Sequence, residues 1–231
     1  MTGSSKTPGF LPRAIDMIFK SVDGSQTEPF HVIPDDANGF KLLSDVERMA
    51  HQLDRRNDMI SSRIMSASRM RKMYAVEYNI DGPDNHVDLP GTFRYGVFMS
   101  YIDIYNENIY DLFETVPINT KPRVKRIRDN AKRGVYASDI VIKEVRGVDD
   151  ALIAYEKGLK QRRNAETSLN LTSSRSHAIL TLYVVRVPID VRTGEPFSDQ
   201  NPDLTSSTSV LHLVDLAGSE KQKRTQAQVC L

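Results

Sequence analysis

The stretch YGVFMSYIDIY at residues 95–105 limits the possible folds of this chain more than any other segment. It is dense in aromatic and β-branched side chains and lies between Gly91 and Asn106. Such a run is typical of a strand that is buried on both faces of a sheet. Because strands of that kind sit in sheets covered by helices, the segment favours a layered α/β fold.

Helical periodicity appears on both sides of this strand along the chain. In LPRAIDMIFKSV, Leu11, Ile15 and Phe19 recur at helical spacing, which predicts a helix with one apolar face. A second helix is predicted from about residue 148 to 165, with acidic residues in its first turn and basic residues in its last.

Further strand signals follow the central strand. HAILTLYVVRV and STSVLHLVDL predict two long strands, and shorter strands are predicted at 135–137 and 140–145. NENIYDLFE predicts a helical turn. The alternation of strands and helices indicates an α/β layer fold with a mixed central sheet.

The segment before the central strand has a different character. Glycines and prolines punctuate residues 23–39, whereas residues 40–74 contain few helix breakers and predict one or two helices. The basic residues of this region indicate a solvated helix face or a contact with an acidic partner. The apolar positions of its predicted stripe are Leu42, Leu43, Val46, Met49 and Leu53.

Composition excludes several classes of function. With 31 basic and 30 acidic residues the net charge is +1, so no overall field favours nucleic acid or an anionic membrane. The lone cysteine, Cys230, excludes an internal disulfide framework, and the five histidines show no zinc-ligand spacing. No apolar run reaches the roughly 18 to 20 residues of a membrane span. We therefore expect a cytosolic or nuclear protein with neither a nucleic-acid nor a membrane partner.

Two polar motifs carry the chemistry. The first, NLTSSRSH, runs from Asn170 to His177 between the second predicted helix and a strand. It combines hydroxyls, an amide and a guanidinium, the donor set that grips a terminal phosphate and its Mg²⁺. Taken alone, it could equally be a polar loop between a helix and a strand.

The second motif, DLAGSE, follows the apolar strand VLHLV and begins at Asp215. A carboxylate at the carboxyl end of a buried strand is where phosphoryl-transfer folds hold their metal. Gly218 has no Cβ and can bring its N–H against a γ-phosphate. Arg175 and Glu220 can close the pocket through a charge-assisted bridge. Alone, Asp-x-x-Gly is also compatible with a simple turn at the end of a strand.

At these motifs the chain resembles a kinesin motor domain. NLTSSRSH fits the family's switch I pattern N-x-x-S-S-R-S-H, and DLAGSE fits switch II. SYIDIYNENIYDL is similar to a family strand, with Asp103 where Glu is usual, and Gly158, Arg162, Ala165 and Thr167 keep the family spacing before switch I. The long insertion at about 23–94 resembles that of the mitotic subfamily that contains the centralspindlin motor.

The resemblance implies a role for each motif residue. Ser174 would ligate Mg²⁺, and Asp215 would bind it through water. Ser173 and Asn170 would help to hold the γ-phosphate and the attacking water, and Ser176 would belong to the same nucleotide-binding set. Gly218 would sense the γ-phosphate, while Arg175 and Glu220 would form the bridge between the switches. The cofactor would be ATP or ADP with Mg²⁺.

The phosphate loop of the family, G-x-x-x-x-G-K-[ST], is not found in the 231 residues. The nearest match, Ser5-Lys6-Thr7, has Ser5 in place of a glycine and is followed by Pro8. We therefore expect residues 1–231 to form an incomplete kinesin-type P-loop NTPase motor fold. It would lack the phosphate-loop strand and the C-terminal helices, with an insertion over 23–94 and the switch-bearing core over 95–231.

Two functions follow from the resemblance. The first is a microtubule motor that couples ATP hydrolysis to movement in mitosis and cytokinesis, placed on the cytoskeleton at the spindle midzone and midbody. Its partners would be tubulin, a second copy of the chain and a centralspindlin-type protein. The second is a truncated, non-catalytic fragment. A small GTPase is disfavoured because Asn-Lys-x-Asp does not occur.

Overall fold

The computed structural model describes residues 9–35, 39–61, 86–116, 120–131, 134–168, 176–194, 196 and 207–217. The helices in these ranges are α1 (Phe10–Ser21), α2 (Asp45–Ser61) and α3 (Val148–Ser168). The strands are β1 (Val32–Pro34), β2 (Phe40–Leu42), β3 (Phe93–Tyr105), β4 (Asn108–Asp111), β5 (Val124–Lys125), β6 (Ile127–Asn130), β7 (Gly134–Ala137), β8 (Lys143–Glu144), β9 (His177–Pro188) and β10 (Ser207–Asp215).

A six-stranded sheet forms the centre of the fold. Its order is β10-β9-β3-β4-β5, with β8 also paired to β3. These named strands pair antiparallel. Gln26 adds a parallel bridge to Tyr95, which makes the sheet mixed, as predicted. The hairpins β1–β2 and β6–β7 stand outside this sheet.

Strand β3 is buried on both faces, as its composition predicts. Its alternate residues Tyr95, Val97, Met99 and Tyr101 pack in one core cluster with the apolar faces of α1 and α3. On the opposite face, Phe98 packs in a second cluster with residues of β1, β2 and β9. Among the described residues, therefore, helices cover one face of the sheet and the β1–β2 hairpin covers part of the other.

The segment NENIYDLFE forms a hairpin in place of the predicted helical turn. Asn106 and Glu107 have φ values of 46° and 63°, and Tyr105 pairs with Asn108 across them. Positive φ at both central residues is typical of a type I′ turn, whose twist suits antiparallel strands. The cross-strand pairing with β3 outweighs the local helical preference, so NIYD becomes strand β4.

Two further predicted elements differ in extent. The strand expected over 140–145 is reduced to Lys143–Glu144. The helical region expected over 40–74 begins as strand β2 and continues as α2 to Ser61, while residues 62–74 lie outside the described residues. Ser44 and Glu47 exchange hydrogen bonds at the start of α2, which is a capping box.

The apolar stripe predicted for this region faces outward in α2. Val46, Met49 and Leu53 are 78%, 64% and 59% exposed. The opposite, polar face of the helix turns inward, where Arg55 contacts Asp150 of α3 at 2.6 Å. Leu42 and Leu43 precede the helix and do not continue the stripe. Among the described helices, none is long and apolar enough to cross a membrane.

Asp111 ends β4 and fixes the loop that follows it. Its carboxylate accepts hydrogen bonds from the backbone N–H groups of Phe113 (2.8 Å) and Val141 (2.6 Å), and Lys125 lies 3.9 Å away.

We expect Asp111→Asn to lower the free energy of unfolding by about 1–3 kcal/mol, because an amide cannot accept both bonds and one buried donor loses its partner. Urea unfolding measures this, with the exposed Asp88→Asn as control; equal midpoints for the two variants would contradict it.

The same carboxyl group sets a pH dependence of stability. Burial raises the pKa of Asp111 above its ordinary value of 3.8, although the two backbone hydrogen bonds oppose that shift. The folded state therefore binds more protons than the unfolded state between the two pKa values, and this contribution to stability falls as the pH rises through that window. As the pH is lowered through the same window, the free energy of unfolding of the wild type should therefore rise relative to that of Asp111→Asn.

Candidate functional site

The candidate site lies at one end of the central sheet, where three neighbouring strands are in register. Asp103 of β3 pairs with Ala178 of β9, and Ala178 pairs with Asp215 of β10. The two carboxylates therefore flank the middle strand in one row. Asp215 is the last residue of its strand, as the sequence predicts.

Arg162 of α3 joins this row to the end of the switch I motif. Its Nη1 lies 3.3 Å from Asp215 Oδ2, and its Nε lies 3.2 Å from Asp103 Oδ1 in an ion pair without hydrogen-bond alignment. Its Nη2 donates to the carbonyl oxygen of Ser176 at 3.2 Å and to Ser176 Oγ at 2.9 Å. One guanidinium thus holds three segments that are distant in sequence.

Arg162 and Asp103 are largely shielded from solvent. Its side chain is 8% exposed and that of Asp103 is 4% exposed. Burial raises the pKa of Tyr155 to about 12 and also raises that of its neighbour Tyr101. Charges in such a poorly solvated setting interact more strongly than at the surface, so the Arg162 contacts hold the site firmly.

A second link joins the two motifs directly. The backbone N–H of Ala217, within DLAGSE, donates to Nδ1 of His177 at 2.9 Å. His177 is the last residue of NLTSSRSH and the first of β9. The bond requires Nδ1 to be unprotonated, so this imidazole carries its proton on Nε2 when neutral.

The structure places two of the eight predicted site residues. Asp215 is half exposed and Ser176 is 2% exposed, with its hydroxyl bonded to Arg162. Ser176 therefore links the end of the switch I motif to Arg162, and its contact with nucleotide stays a prediction. The remaining six, Asn170, Ser173, Ser174, Arg175, Gly218 and Glu220, lie outside the described residues.

Two residues of the site have structural roles that the sequence did not reveal. The sequence places Arg162 near the end of a predicted helix and Asp103 at a strand position where Glu is usual, and neither pattern shows that the two side chains meet. The sequence does indicate that Asp103 has a partner, since this carboxylate lies at an inward position of a strand buried on both faces. A carboxylate there needs a partner, and Arg162 is the cation that α3 brings to it.

The residues present at this edge suit a hydrated Mg²⁺ bound to nucleotide phosphates. Mg²⁺ takes oxygen ligands and keeps several waters. The Asp215 side chain is 54% exposed even though Arg162 contacts one of its oxygens, so a hydrated cation can reach it. Asp103 is buried against Arg162 and is not accessible in this way.

Comparison with known proteins identifies the family. A family profile described as the kinesin motor domain matches residues 1–230. The chain therefore belongs to the kinesin motor domain family. A solved structure titled "kinesin 6" superposes with a TM-score of 0.70 at 26% identity, covering 95% of this chain and 55% of that one.

Curated relatives agree with this assignment. Kinesin-like protein KIF23 of Mus musculus is 34% identical over 99% of this chain. Chromosome-associated kinesin KIF4A of Homo sapiens is 38% identical over 62% of it. The chain spans 24% of the length of KIF23 and 10% of that of KIF4A.

The His177 bond gives a test of the link between the motifs. We expect His177→Ala to release the Ala217 amide, so that its hydrogen exchange becomes about tenfold faster, which corresponds to about 1.4 kcal/mol of lost protection. His177→Asn, whose short side chain carries an acceptor, should retain part of the protection. Native-state exchange read by NMR measures both; equal rates in wild type and His177→Ala would contradict the link.

Proposed function

We propose that this chain is the switch-bearing part of a microtubule motor that is driven by ATP hydrolysis. The observation that carries the proposal is the Arg162 guanidinium, which contacts Asp215 of switch II and Ser176 of switch I together. In a motor, both switches must respond to a change at one phosphate. A buried group shared by the two segments supports such a joint response.

Each residue of the site has a proposed role. Asp215 holds Mg²⁺ through water, and Ser174 ligates it directly. Asn170 and Ser173 orient the γ-phosphate and the attacking water, while Gly218 presents its N–H to the same phosphate. Bound Mg²⁺ would neutralise charge on the phosphates during transfer.

The remaining residues act on the position of the switches. Arg175 and Glu220 close the pocket by an ion pair between them. Ser176 and His177 anchor the switch I end, through Arg162 and Ala217 respectively. Because α3 carries Arg162, a shift of this helix moves the support of both switches at once.

The proposed partner is the microtubule, whose acidic surface would meet a basic one. Arg126 and Arg128 are exposed on and beside β6, whereas Lys125 is occupied by Glu114 at 3.2 Å and Asp111 at 3.9 Å. Salt-sensitive binding would follow from such surface charges. The homodimer, the centralspindlin-type partner and the position at the spindle midzone and midbody belong to the same proposal. They follow from the resemblance of the insertion over 23–94 to that of the mitotic subfamily that contains the centralspindlin motor.

A second candidate is a non-catalytic piece of a motor domain. It is favoured by one observation, the absence of G-x-x-x-x-G-K-[ST] from the 231 residues. That signature cradles the phosphates with backbone N–H groups and a lysine. The two candidates differ in what the chain does alone, and agree on what its switches do in a complete motor domain.

The test compares two proteins. The first is the 231-residue chain, for which we expect no ATP turnover stimulated by microtubules and no ATP binding tighter than millimolar. The second is the same chain joined to flanking segments that supply a phosphate loop and the C-terminal helices of a kinesin. This protein should hydrolyse ATP, and Arg175→Ala should abolish that activity.

Each arm has an outcome that counts against the proposal. Micromolar ATP binding by the 231-residue chain, lost in Gly218→Ala, would reject the non-catalytic candidate. Unchanged turnover of the completed protein after Arg175→Ala would reject the bridge between the switches. No turnover in the completed wild type, despite native circular dichroism, would reject the motor assignment.

A further inference from the structure

A cavity of about 330 Å³ lies on the side of α3 that faces the insertion, separate from the switch site. Its walls are the turn before β1, the segment around β8, the inward face of α2 and the first turns of α3. The innermost side chains are apolar and include Val32, Phe98, Val145 and Ile153. Their size and character match pockets that accept small organic molecules.

The two acidic side chains on the inner wall of this cavity, Glu144 and Asp150, are already paired. Asp150 accepts hydrogen bonds from Arg55 Nη2 at 2.6 Å and from the Arg146 N–H at 2.9 Å. Glu144 accepts from Arg146 Nη1 at 3.0 Å and from the Phe30 N–H at 2.7 Å. An ionic ligand would have to compete with these pairs or remain unpaired, which is costly. The inner wall therefore favours an uncharged ligand, while the exposed Asp54 lies at the rim.

Aromatic groups stand at the cavity wall in a fixed arrangement. Phe30 stacks on His51 with ring centroids 6.2 Å apart, and the Arg55 guanidinium lies 5.7 Å from the centre of the Phe30 ring. Phe30 has a φ of 57°, an uncommon value for a bulky residue, and its N–H bond to Glu144 helps to hold this turn. Aromatic rings can add edge or stacking contacts to a wall of this kind.

We propose that this cavity is a binding site for a small, uncharged aromatic molecule, held between the insertion helix α2 and helix α3. The ligand would contact Ile153 in the second turn of α3, nine residues before Arg162. At 1.5 Å per residue the two positions are about 14 Å apart along the same helix. Binding at the cavity would therefore stiffen the helix that supports both switches, while leaving the nucleotide site itself open.

The outward stripe of α2 is a competing site for apolar molecules. Val46, Met49 and Leu53 lie on the face of α2 opposite to His51 and Arg55, which line the cavity together with Asp54 at its exposed rim. An apolar probe that simply adheres to exposed side chains would bind the stripe. The experiment must therefore distinguish binding at the cavity from binding at the exposed stripe of α2.

The probe is 1-aminoanthracene, a neutral fluorescent aromatic molecule, titrated into the 231-residue chain at pH 7. We expect saturable, one-to-one binding with a dissociation constant in the micromolar range, accompanied by slower hydrogen exchange in α3 around Ile153. Anthracene-1-carboxylate, which carries a charged group at the same ring position, should bind at least about tenfold more weakly. Absence of saturable binding, or equal affinity for the two probes, would overturn the proposal.

Variants locate the bound probe. Ile153→Trp fills the cavity and should weaken binding at least about tenfold, and Asp54→Trp should do so from the exposed rim, where folding is not at risk. The matched control replaces Val46, Met49 and Leu53 with serine and should leave the affinity unchanged. Loss of binding in the serine variant, or unchanged binding in Asp54→Trp, would assign the probe to another surface and reject the site. If Ile153→Trp does not fold, Asp54→Trp decides alone.

Discussion

Arg162→Ala is expected to lower the free energy of unfolding by about 3–5 kcal/mol, the range typical of breaking a buried charge pair. The substitution removes the guanidinium from beside Asp103, whose side chain is 4% exposed, and from the two oxygens of Ser176. A buried carboxylate then faces poorly solvated surroundings without its cation. Urea unfolding followed by circular dichroism measures the loss.

The chain provides a matched control next to this residue. Arg163 follows Arg162 in α3 but is exposed, so Arg163→Ala should change the stability by less than about 0.5 kcal/mol. The double variant Arg162→Gln with Asp103→Asn removes both charges and should recover part of the loss. Equal effects of Arg162→Ala and Arg163→Ala would show that Arg162 does not hold the three segments together.

Gly158→Ala is expected to destabilise the fold by about 3 kcal/mol, at the upper end of the usual cost of overpacking. A Cβ at this position would lie 2.3 Å from Tyr101 Cδ1 and 2.9 Å from Tyr101 Cε1. Tyr101 is 1% exposed and packs against Tyr155 and Phe113, so its ring has no free space to move into. The helix must therefore move away from β3, and Arg162 moves with it.

Gly147→Ala is the control for this effect, because nothing lies within 4 Å of a Cβ built at Gly147. It should leave the urea midpoint nearly unchanged. Adding Tyr101→Leu to Gly158→Ala creates room and should restore part of the stability relative to Tyr101→Leu alone. If Gly158→Ala and Gly147→Ala behave alike, α3 does not require a glycine for its close approach to β3.

The core of the fold could be predicted because its signals are local. The apolar period of α1, the dense composition of β3 and the acidic first turn of α3 each lie within one segment, although α3 continues to Ser168 and its last turn holds no basic residue. Asp215 was placed correctly for the same reason, since an apolar strand directly precedes it. These patterns report burial, which a segment's own composition largely determines.

The errors arose where distant parts of the chain decide the outcome. NENIYDLFE forms a hairpin because β3 provides a partner for Asn108–Asp111. The stripe of α2 faces outward because an ion pair with Asp150, almost a hundred positions later in the chain, holds the opposite face inward. The role of Arg162 is likewise not visible in the local sequence, since its partners come from three separate segments. Contacts of this kind leave no periodic pattern in the sequence.

The proposed function assigns Asp215, supported by Arg162, to the machinery that hydrolyses ATP. Its most direct test is the ATP turnover, in the presence of microtubules, of the chain completed with a phosphate loop and C-terminal helices, with and without Asp215→Asn. The substitution is isosteric and lies at a half-exposed position, so folding should be preserved. We predict that turnover falls by about 100-fold, equivalent to about 2.7 kcal/mol of transition-state stabilisation. Turnover of a folded Asp215→Asn protein within twofold of the wild type would contradict the account.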